Sequence, residues 1–361
     1  MQLRFNFRPY PTAGQRGTLA QAFGCARVVF NDTVAAHRNW LSSLSGRRKG
    51  RKVAAPRFRS RRDNRQAIRF TRNARFKVTS GGKLCLPKIG DVPVRWSRDL
   101  PSAPSSVTVI LDAAGRHHAS FVVDTGDDAP LPPGDAEVGI DLGLTSFAVL
   151  SDGKVIDNPR YLRKAERRLK RAQQALSCKE KGSANRAKAR TKVARAHTKV
   201  ADARRDFAHP LSTTIIRENQ AVYVEDLAVK GLARTRLAKS VHDAGWGMFT
   251  RMSEEKAARY GRTFVKVDRW FPSSQICSAC GIQDGPKSLS VRSWTCPECG
   301  AVHDRDFNAA QEESPANRAG AAHRDDATER HRFARPGADP DRPRPDQRPV
   351  AGPGRRPQGT G

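Results

Sequence analysis

Acidic residues are scarce in this chain: 36 Asp and Glu stand against 66 Lys and Arg, leaving a formal charge of +30. An excess of that size needs a polyanion, and nucleic acid is the default partner. A metabolic enzyme of neutral charge is argued against from the start. Long apolar runs are missing as well. Stretches such as Phe121 to Val123 and Val138 to Ile140 are far too short to cross a bilayer, so no membrane partner is expected. The N-terminus alternates Leu3, Phe5 and Phe7 with Arg4, Asn6 and Arg8, which is a strand pattern and not a signal peptide. Cysteine is sparse and uneven: seven in all, an odd number, with four crowded into one short segment. That fits a metal site in a reducing cytosol better than a disulfide framework. Neither a Ser–His–Asp motif nor a phosphate-binding glycine loop is present.

The 361 residues suffice for two or three domains. After the first strand, Thr12 reads as a helix N-cap, and Leu19, Ala22, Phe23, Ala26 and Phe30 keep helical spacing. Residues 44 to 77 carry fourteen Lys and Arg against the single acid Asp63, with Phe58, Phe70 and Phe76 interleaved. Phosphate contact is expected there, against the plainer reading of a solvated loop. From Gln66 to Asp124 apolar and polar residues alternate between turn signals, and a small barrel or folded sheet would close so many short strands. Residues 125 to 136 read as a linker. From Glu137 the segments VGIDLGL, SFAVL and VIDN read as three strands. A basic helical block follows from Arg160 to Asp206, with Leu162, Leu169 and Leu176, then Val193, Val200 and Phe207, repeating by seven around a break at Lys181-Gly182-Ser183. Its seventeen basic residues and four acids suggest a helical hairpin with a nucleic-acid-facing surface. The proline- and glycine-rich tail cannot bury enough surface to offset its ordering entropy, and 314–361 is expected to be disordered.

Cys277-Ser278-Ala279-Cys280-Gly281 and Cys296-Pro297-Glu298-Cys299-Gly300 are two CxxCG knuckles separated by fifteen residues. Each puts two thiols on one tight turn, and the glycine permits the backbone conformation behind the second sulfur. Four sulfurs so presented match structural Zn²⁺; two disulfides or an iron–sulfur site are the alternatives. Leu289, Val291 and Trp294 would form the short hairpin between them. Cys25, Cys85 and Cys178 read as ordinary thiols.

Three acids lie far apart. Asp141 ends an apolar strand in GIDLG, Glu225 ends another in VYVEDL, and Asp306 opens a helix in HDRDFNAA. Alone, each is an ordinary turn former or cap. Together they fit phosphodiester cleavage by two Mg²⁺ ions, which needs hard carboxylate oxygens around ions ~3.5–4 Å apart. His303 and His242 are secondary ligand candidates, though a lone His is more often surface or structural.

These residues resemble the transposon-encoded OrfB/TnpB proteins, relatives of type V CRISPR effector nucleases. The resemblance runs to about Glu313. It is carried by Arg8-Pro9-Tyr10-Pro11, Phe23-Gly24, Ala26-Arg27, Asn31 and Pro56-Arg57-Phe58. It continues through GIDLG at 139–143, VYVEDL at 222–227, DAGWGMF at 243–249, VDRWFPSSQICSACG at 267–281 and HDRDFNAA at 303–310. One departure stands out: between Trp40 and Pro56 the family usually carries several dozen helical residues, and here only LSSLSGRRKGRKVAA remains. The resemblance implies a multidomain α+β chain with an N-terminal β-barrel and helical lobe, then an RNase H-like (RuvC) α/β core with an inserted zinc ribbon. It implies that Asp141, Glu225 and Asp306 are catalytic acids holding Mg²⁺, and that Cys277, Cys280, Cys296 and Cys299 hold Zn²⁺. Asp304 is the neighbour to test should Asp306 fail.

The expected organisation is a nucleic-acid-binding lobe over 1–124, a linker over 125–136, and a nuclease core over 137–275 containing the hairpin 160–206. The ribbon spans 276–300, the last nuclease helix 301–313, and the tail 314–361. The implied activity is RNA-guided, Mg²⁺-dependent DNA cleavage with a transposon-derived guide RNA, in the bacterial cytoplasm at the nucleoid. A non-cleaving RNA- or DNA-binding accessory protein is the rival reading, and a DNA-joining transposase draws less support.

Overall fold

The computed structural model describes residues 2–43, 56–61, 63, 65–126, 130–288 and 290–313. The expected disordered tail, Leu289 and the 44–55 part of the first basic block lie outside the described residues.

Strand β1 (Gln2–Pro9) keeps the alternation of its sequence and turns Phe5 and Phe7 onto the core. Helix α1 (Ala13–Ser43) follows. Its N-terminus is closed reciprocally: Gln15 N–H donates to Thr12 Oγ1 at 3.3 Å, and Thr12 N–H to Gln15 Oε1 at 3.0 Å. This capping box satisfies two N–H groups that the helix itself cannot. Leu19 and Phe23, one turn apart, then reach the core that holds Phe7 and Phe121.

Strands β2 (Arg65–Thr71), β3 (Lys77–Val78), β4 (Lys83–Leu86), β5 (Gly90–Arg95), β6 (Ser106–Asp112) and β7 (His117–Asp124) join β1. All neighbours are antiparallel, in the order β2-β6-β7-β1-β5-β4-β3. The two edge strands β2 and β3 are joined by a single short turn, Arg72–Ala74 and its flanks. Six residue steps span at most ~21 Å, whereas seven flat strands would set the edges ~29 Å apart. The sheet must therefore curl. Among the described residues no β2–β3 pairing closes it, so the expected barrel is a curled sheet. Phe70 and Phe76 belong to its core, while Phe58 lies on the surface beneath the Arg38 guanidinium, 4.3 Å from the ring centroid.

The second half is built on β8 (Glu137–Asp141), β9 (Ser146–Leu150), β10 (Val155–Asp157), β11 (Ala221–Glu225) and β12 (Thr263–Val267). Their order is β10-β9-β8-β11-β12. The first three form an antiparallel meander, and β11 lies parallel to both β8 and β12. Parallel neighbours require long crossovers, which here are helical. Helices α2 (Tyr161–Ser177) and α3 (Ala184–Glu218) bridge β10 to β11. Helices α4 (Val229–Leu232), α5 (Ala238–Ala244) and α6 (Trp246–Tyr260) bridge β11 to β12. On one sheet face Val138, Ile140, Val222 and Val224 pack against Ile215 and Ile216 of α3 and Trp246 and Phe249 of α6. Helix α7 (Arg305–Glu313) covers the other face.

The hairpin α2/α3 breaks at Gly182, as its sequence indicates, and Leu169 packs against Ala196 and Val200. Phe207 leaves the heptad seam and meets Phe147 edge-on at 5.1 Å, within the sheet core. Helix α3 runs past Asp206 to Glu218, carrying Pro210 inside it. Lys256 Nζ supports that segment by donating to the His209 carbonyl at 2.6 Å and to Ser212 Oγ and Thr213 Oγ1 at 2.7 Å. The N-terminus of α2 has no cap of its own. Buried Asp243 from α5 supplies one, accepting from the N–H groups of Leu162 at 2.7 Å and Arg163 at 3.0 Å while pairing with Arg204 at 3.2 Å. The two halves meet where Arg116, after β6, bridges Asp112 and Asp202 of α3.

Candidate metal centres and active site

Side chains alternate across a strand, so the residues beside the buried Val138 and Ile140 of β8, namely Gly139 and Asp141, face α7. The same parity on β11 turns Glu225 to that face, because Val222 and Val224 point to the core. The parallel register pairs Val224 with Ile140, which sets Glu225 beside Asp141 one step further on. Carboxylate oxygens of Asp141, Glu225 and Glu313 all lie within 4.8 Å of one another. Glu313 ends α7, is 1% exposed, and accepts the Ile140 N–H at 3.2 Å through Oε2.

The segment 303–313 assigns a task to nearly every residue. Asp304 Oδ1 accepts the N–H groups of Asp306 at 3.1 Å and Phe307 at 3.0 Å, so it is the N-cap of α7. Its side chain is thus committed to the helix. Asp306, in the first turn, meets the Arg292 guanidinium at 3.3 Å. Asn308 is fully buried and ties α7 to the preceding loop. It donates to the carbonyls of Ser273 at 3.2 Å and Ile276 at 2.7 Å, and accepts the Ser278 N–H at 3.0 Å. Ala310 lets the helix lie directly on the strand: a Cβ built at Gly139 would overlap the Ala310 carbonyl and stand 3.1 Å from Glu313 Cβ.

The crowding shows in the titration of these acids. Burial raises Asp141 from its ordinary 3.8 to about 7, and the charges of Asp306 and then Glu225 push the same way. Burial, then the charge of Asp226, also raises Glu225. A divalent cation relieves this repulsion, and oxygen ligands of this hard type suit Mg²⁺. Of the expected trio, Asp141 and Glu225 are brought together, with Glu313 as the third carboxylate of the cluster; Asp306 lies outside it, paired with Arg292, and acts on Asp141 by charge. Glu313 was not anticipated. A signal was available, since Asp306 and Glu313 stand seven residues, two helical turns, apart on one face.

The second cluster is cysteine. Cys277, Cys280, Cys296 and Cys299 bring their sulfurs within 4.8 Å of one another, with 3.6 Å between Cys277 and Cys299 and between Cys280 and Cys296. A tetrahedron with Zn–S bonds of ~2.3 Å has edges of ~3.8 Å, so the set fits zinc. Gly281 (φ +73°) and Gly300 (φ +72°) adopt the left-handed conformation that each knuckle was expected to need. Burial pushes the Cys280 thiol up to about 12, so four thiolates would not coexist here without a cation. The hairpin is β13 (Ser293–Thr295) with β14 (Val302–Asp304), and it encloses the second knuckle instead of lying between the two. A CxxCG turn serves as the hairpin loop itself. His303 is buried here, 3.0 Å from Cys277 Sγ and stacked on Trp294 at 4.7 Å, whereas His242 is exposed on α5. Of the remaining cysteines, Cys25 and Cys178 are exposed and Cys85 is half-buried.

Three family models match in succession: a helix-turn-helix domain over residues 1–44, a "Probable transposase" of the OrfB type over 120–236, and a Cas12f1-like TNB domain over 246–312. A Streptomyces pristinaespiralis protein named "Putative RNA-guided DNA endonuclease" is 38% identical over 354 residues, covering 85% of this chain and 87% of its own length. The chain belongs to the OrfB transposase family. Relatives with the same naming in Mycobacterium tuberculosis H37Rv and Escherichia coli K12 are 29% and 28% identical, covering 79% and 72% of this chain and 67% and 68% of their own lengths. Among solved structures, a Cas12f1–sgRNA–target DNA complex aligns with TM-score 0.44 at 16% identity, over 68% of this chain and 58% of that one. In this family member the helix-turn-helix region is β1 and one continuous helix, α1. The described helices include none long and apolar enough to cross a membrane.

Proposed function

We propose that this family member is an RNA-guided DNA endonuclease whose β8–β12 sheet is an RNase H-like (RuvC) nuclease core. The observation that carries the reading is the convergence of Asp141 and Glu225, side by side on parallel strands, beneath the helix that bears Asp306. Divalent cations held by Asp141, Glu225 and Asp306, with Glu313 at hand, would supply an activated water and stabilise the leaving 3′ oxygen of a DNA phosphodiester. The chain's own residues fix the carboxylates before substrate arrives: strand register sets two, and Asp304 and Asn308 orient the helix that carries the others. Arg292 and Arg305 lower the electrostatic cost of gathering acids there.

The basic surfaces support a nucleic-acid partner. On α2 and α3, Lys164, Arg167, Arg168, Lys170 and Arg171 are exposed, as are Lys188, Arg190, Lys192, Arg195 and Lys199. Glu166 and Asp202 do little to offset this field, since each is paired with a cation elsewhere, Lys239 and Arg116. The proposed division is a nucleic-acid-binding lobe over 1–124, a nuclease core from 137 with the zinc ribbon inserted, and base pairing of a transposon-derived guide as the source of sequence choice. Within that division Zn²⁺ on the four cysteines is structural, because a closed four-thiolate shell leaves no open position.

The test is cleavage of a target library designed from RNA that co-purifies with the full chain. Mg²⁺ should support cutting, while Asp141→Ala and Glu225→Gln should abolish it and keep nucleic-acid binding. Wild-type protein that binds its RNA yet never cuts a matched target would overturn the nuclease reading in favour of a binding protein.

A further inference from the structure

We infer that Trp270 is a stacking platform for an unpaired nucleobase of the DNA strand entering the acid site. Its indole is 84% exposed, more than Trp40 or Tyr10, each at 53%. Among the described residues no ring stacks on it and no cation covers it, whereas Phe58 lies under Arg38 and Trp40 against His37. An exposed indole leaves a large apolar surface in water, which a fold gains nothing by doing. Nothing local demands tryptophan at this position, so the explanation lies with what it meets.

Its placement says what that is. Val267 is the register partner of Glu225 on the neighbouring strand, and Trp270 follows three residues later, within ~11 Å of chain. The turn that carries it is held by hydrogen bonds and an ion pair. Trp270 N–H donates to Asp268 Oδ1 at 2.9 Å, and Phe271 N–H to the Asp268 carbonyl at 3.0 Å. Arg269 pairs with Asp226, the residue after Glu225, and Ser273 accepts from Asn308 of α7. The loop is thus pinned at one end to the strand of Glu225 and at the other to the helix of Asp306. An aromatic face held beside a phosphodiester-cleaving site is what sequence-tolerant binding of single strands uses, since every base has a π-face. A duplex has no free base faces to offer, so the platform favours an unwound strand.

The inference rests on the nuclease reading for the identity of the strand, but binding can be read without cleavage. The full chain with its co-purified RNA is titrated, in Ca²⁺, with a mixed-sequence single-stranded oligodeoxynucleotide in which one abasic position is walked along the strand. Trp270→Ala should weaken binding by about 5- to 150-fold, and Trp270→Phe should recover most of it. One abasic position should weaken the wild type by a similar factor and leave Trp270→Ala unaffected. Equal abasic penalties in both proteins, or wild-type affinity in Trp270→Ala, would overturn the proposal. So would a change of oligomeric state in Trp270→Ala by sedimentation, which would make a second copy the occupant. Coupling without any Mg²⁺-dependent cutting would keep the platform and sink the nuclease.

Discussion

Replacing Gly139 by alanine isolates the contact on which the acid site depends. The added methyl carbon would fall well inside 3.0 Å of the Ala310 carbonyl oxygen, and that oxygen is backbone, so no side-chain rotation relieves it. The strand cannot retreat, because Val138 and Ile140 on its other face are packed in the core. Helix α7 must move, by roughly 1 Å, and overpacking of this kind costs about 1–3 kcal/mol. The functional loss should be larger than the loss of stability. Asp306 and Glu313 ride on α7 while Asp141 and Glu225 stay on the sheet, and a misplacement of ~1 Å can cost ~10²-fold in rate. Urea unfolding and single-turnover cleavage in Mg²⁺ measure the two effects separately. Gly17→Ala is the matched control: in α1, with open space around it, it should stabilise by up to ~1 kcal/mol and leave cleavage unchanged. If Gly139→Ala unfolds and cuts like wild type, α7 does not sit directly on β8 and its contact there does not position the acids.

Three further outcomes are expected. Elemental analysis should find zinc near one equivalent per chain, and Cys296→Ser should release it and loosen the ribbon to proteolysis, since structural zinc contributes folding free energy directly. Asp243→Ala should destabilise by about 3–5 kcal/mol in denaturant titration, because it uncaps α2 and strands the largely buried Arg204; Asp243→Asn should cost less by keeping acceptors for the two N–H groups. For pH, the Asp141 carboxyl titrates at about 7 in the fold against its ordinary 3.8, so the folded state holds the proton more tightly. Its contribution is fully present below about pH 4 and is lost as pH rises through 7. The thermal midpoint of the chelated wild type, relative to Asp141→Asn, should therefore fall across that window, and Mg²⁺ should flatten the difference; a difference that rises with pH would refute the burial of this acid.

Much of this arrangement was legible because it is local. Thr12 three residues before Gln15 announces a cap, and Leu19 and Phe23 one turn apart announce a buried face. CxxCG announces a left-handed glycine, and Gly281 and Gly300 supply it. The acids Asp141 and Glu225 were legible for a related reason: each closes a run whose alternate residues are apolar, so parity alone turns them to one face. What escaped was long-range. Asp243 caps a helix some eighty residues before it, and no local pattern ties an exposed-looking DAGWG segment to the start of α2. The curl of the first sheet follows from strand order, which alternation does not encode. Pro210 argues for a helix end near Asp206, yet α3 continues because Lys256 from another helix meets the polar groups of that segment.

The placement of charge follows a consistent logic. A surface that gathers phosphates must be basic, but a site that cuts them needs carboxylates, and the two demands oppose each other within one small domain. The chain separates them by face. Lysines and arginines crowd the exposed sides of α2 and the N-terminal part of α3, which pack on each other, and the C-terminal end of α3 seats this hairpin on one face of the second sheet. The acids collect on the opposite face, under α7, where burial keeps them charged only at a cost. In the proposed nuclease that cost would fall when a divalent cation binds, and the same carboxylates that repel a phosphodiester while bare would become its anchor once neutralised. Such a site would be gated by its cation in the proposed nuclease, and the basic surface would hold nucleic acid while the acids stand idle.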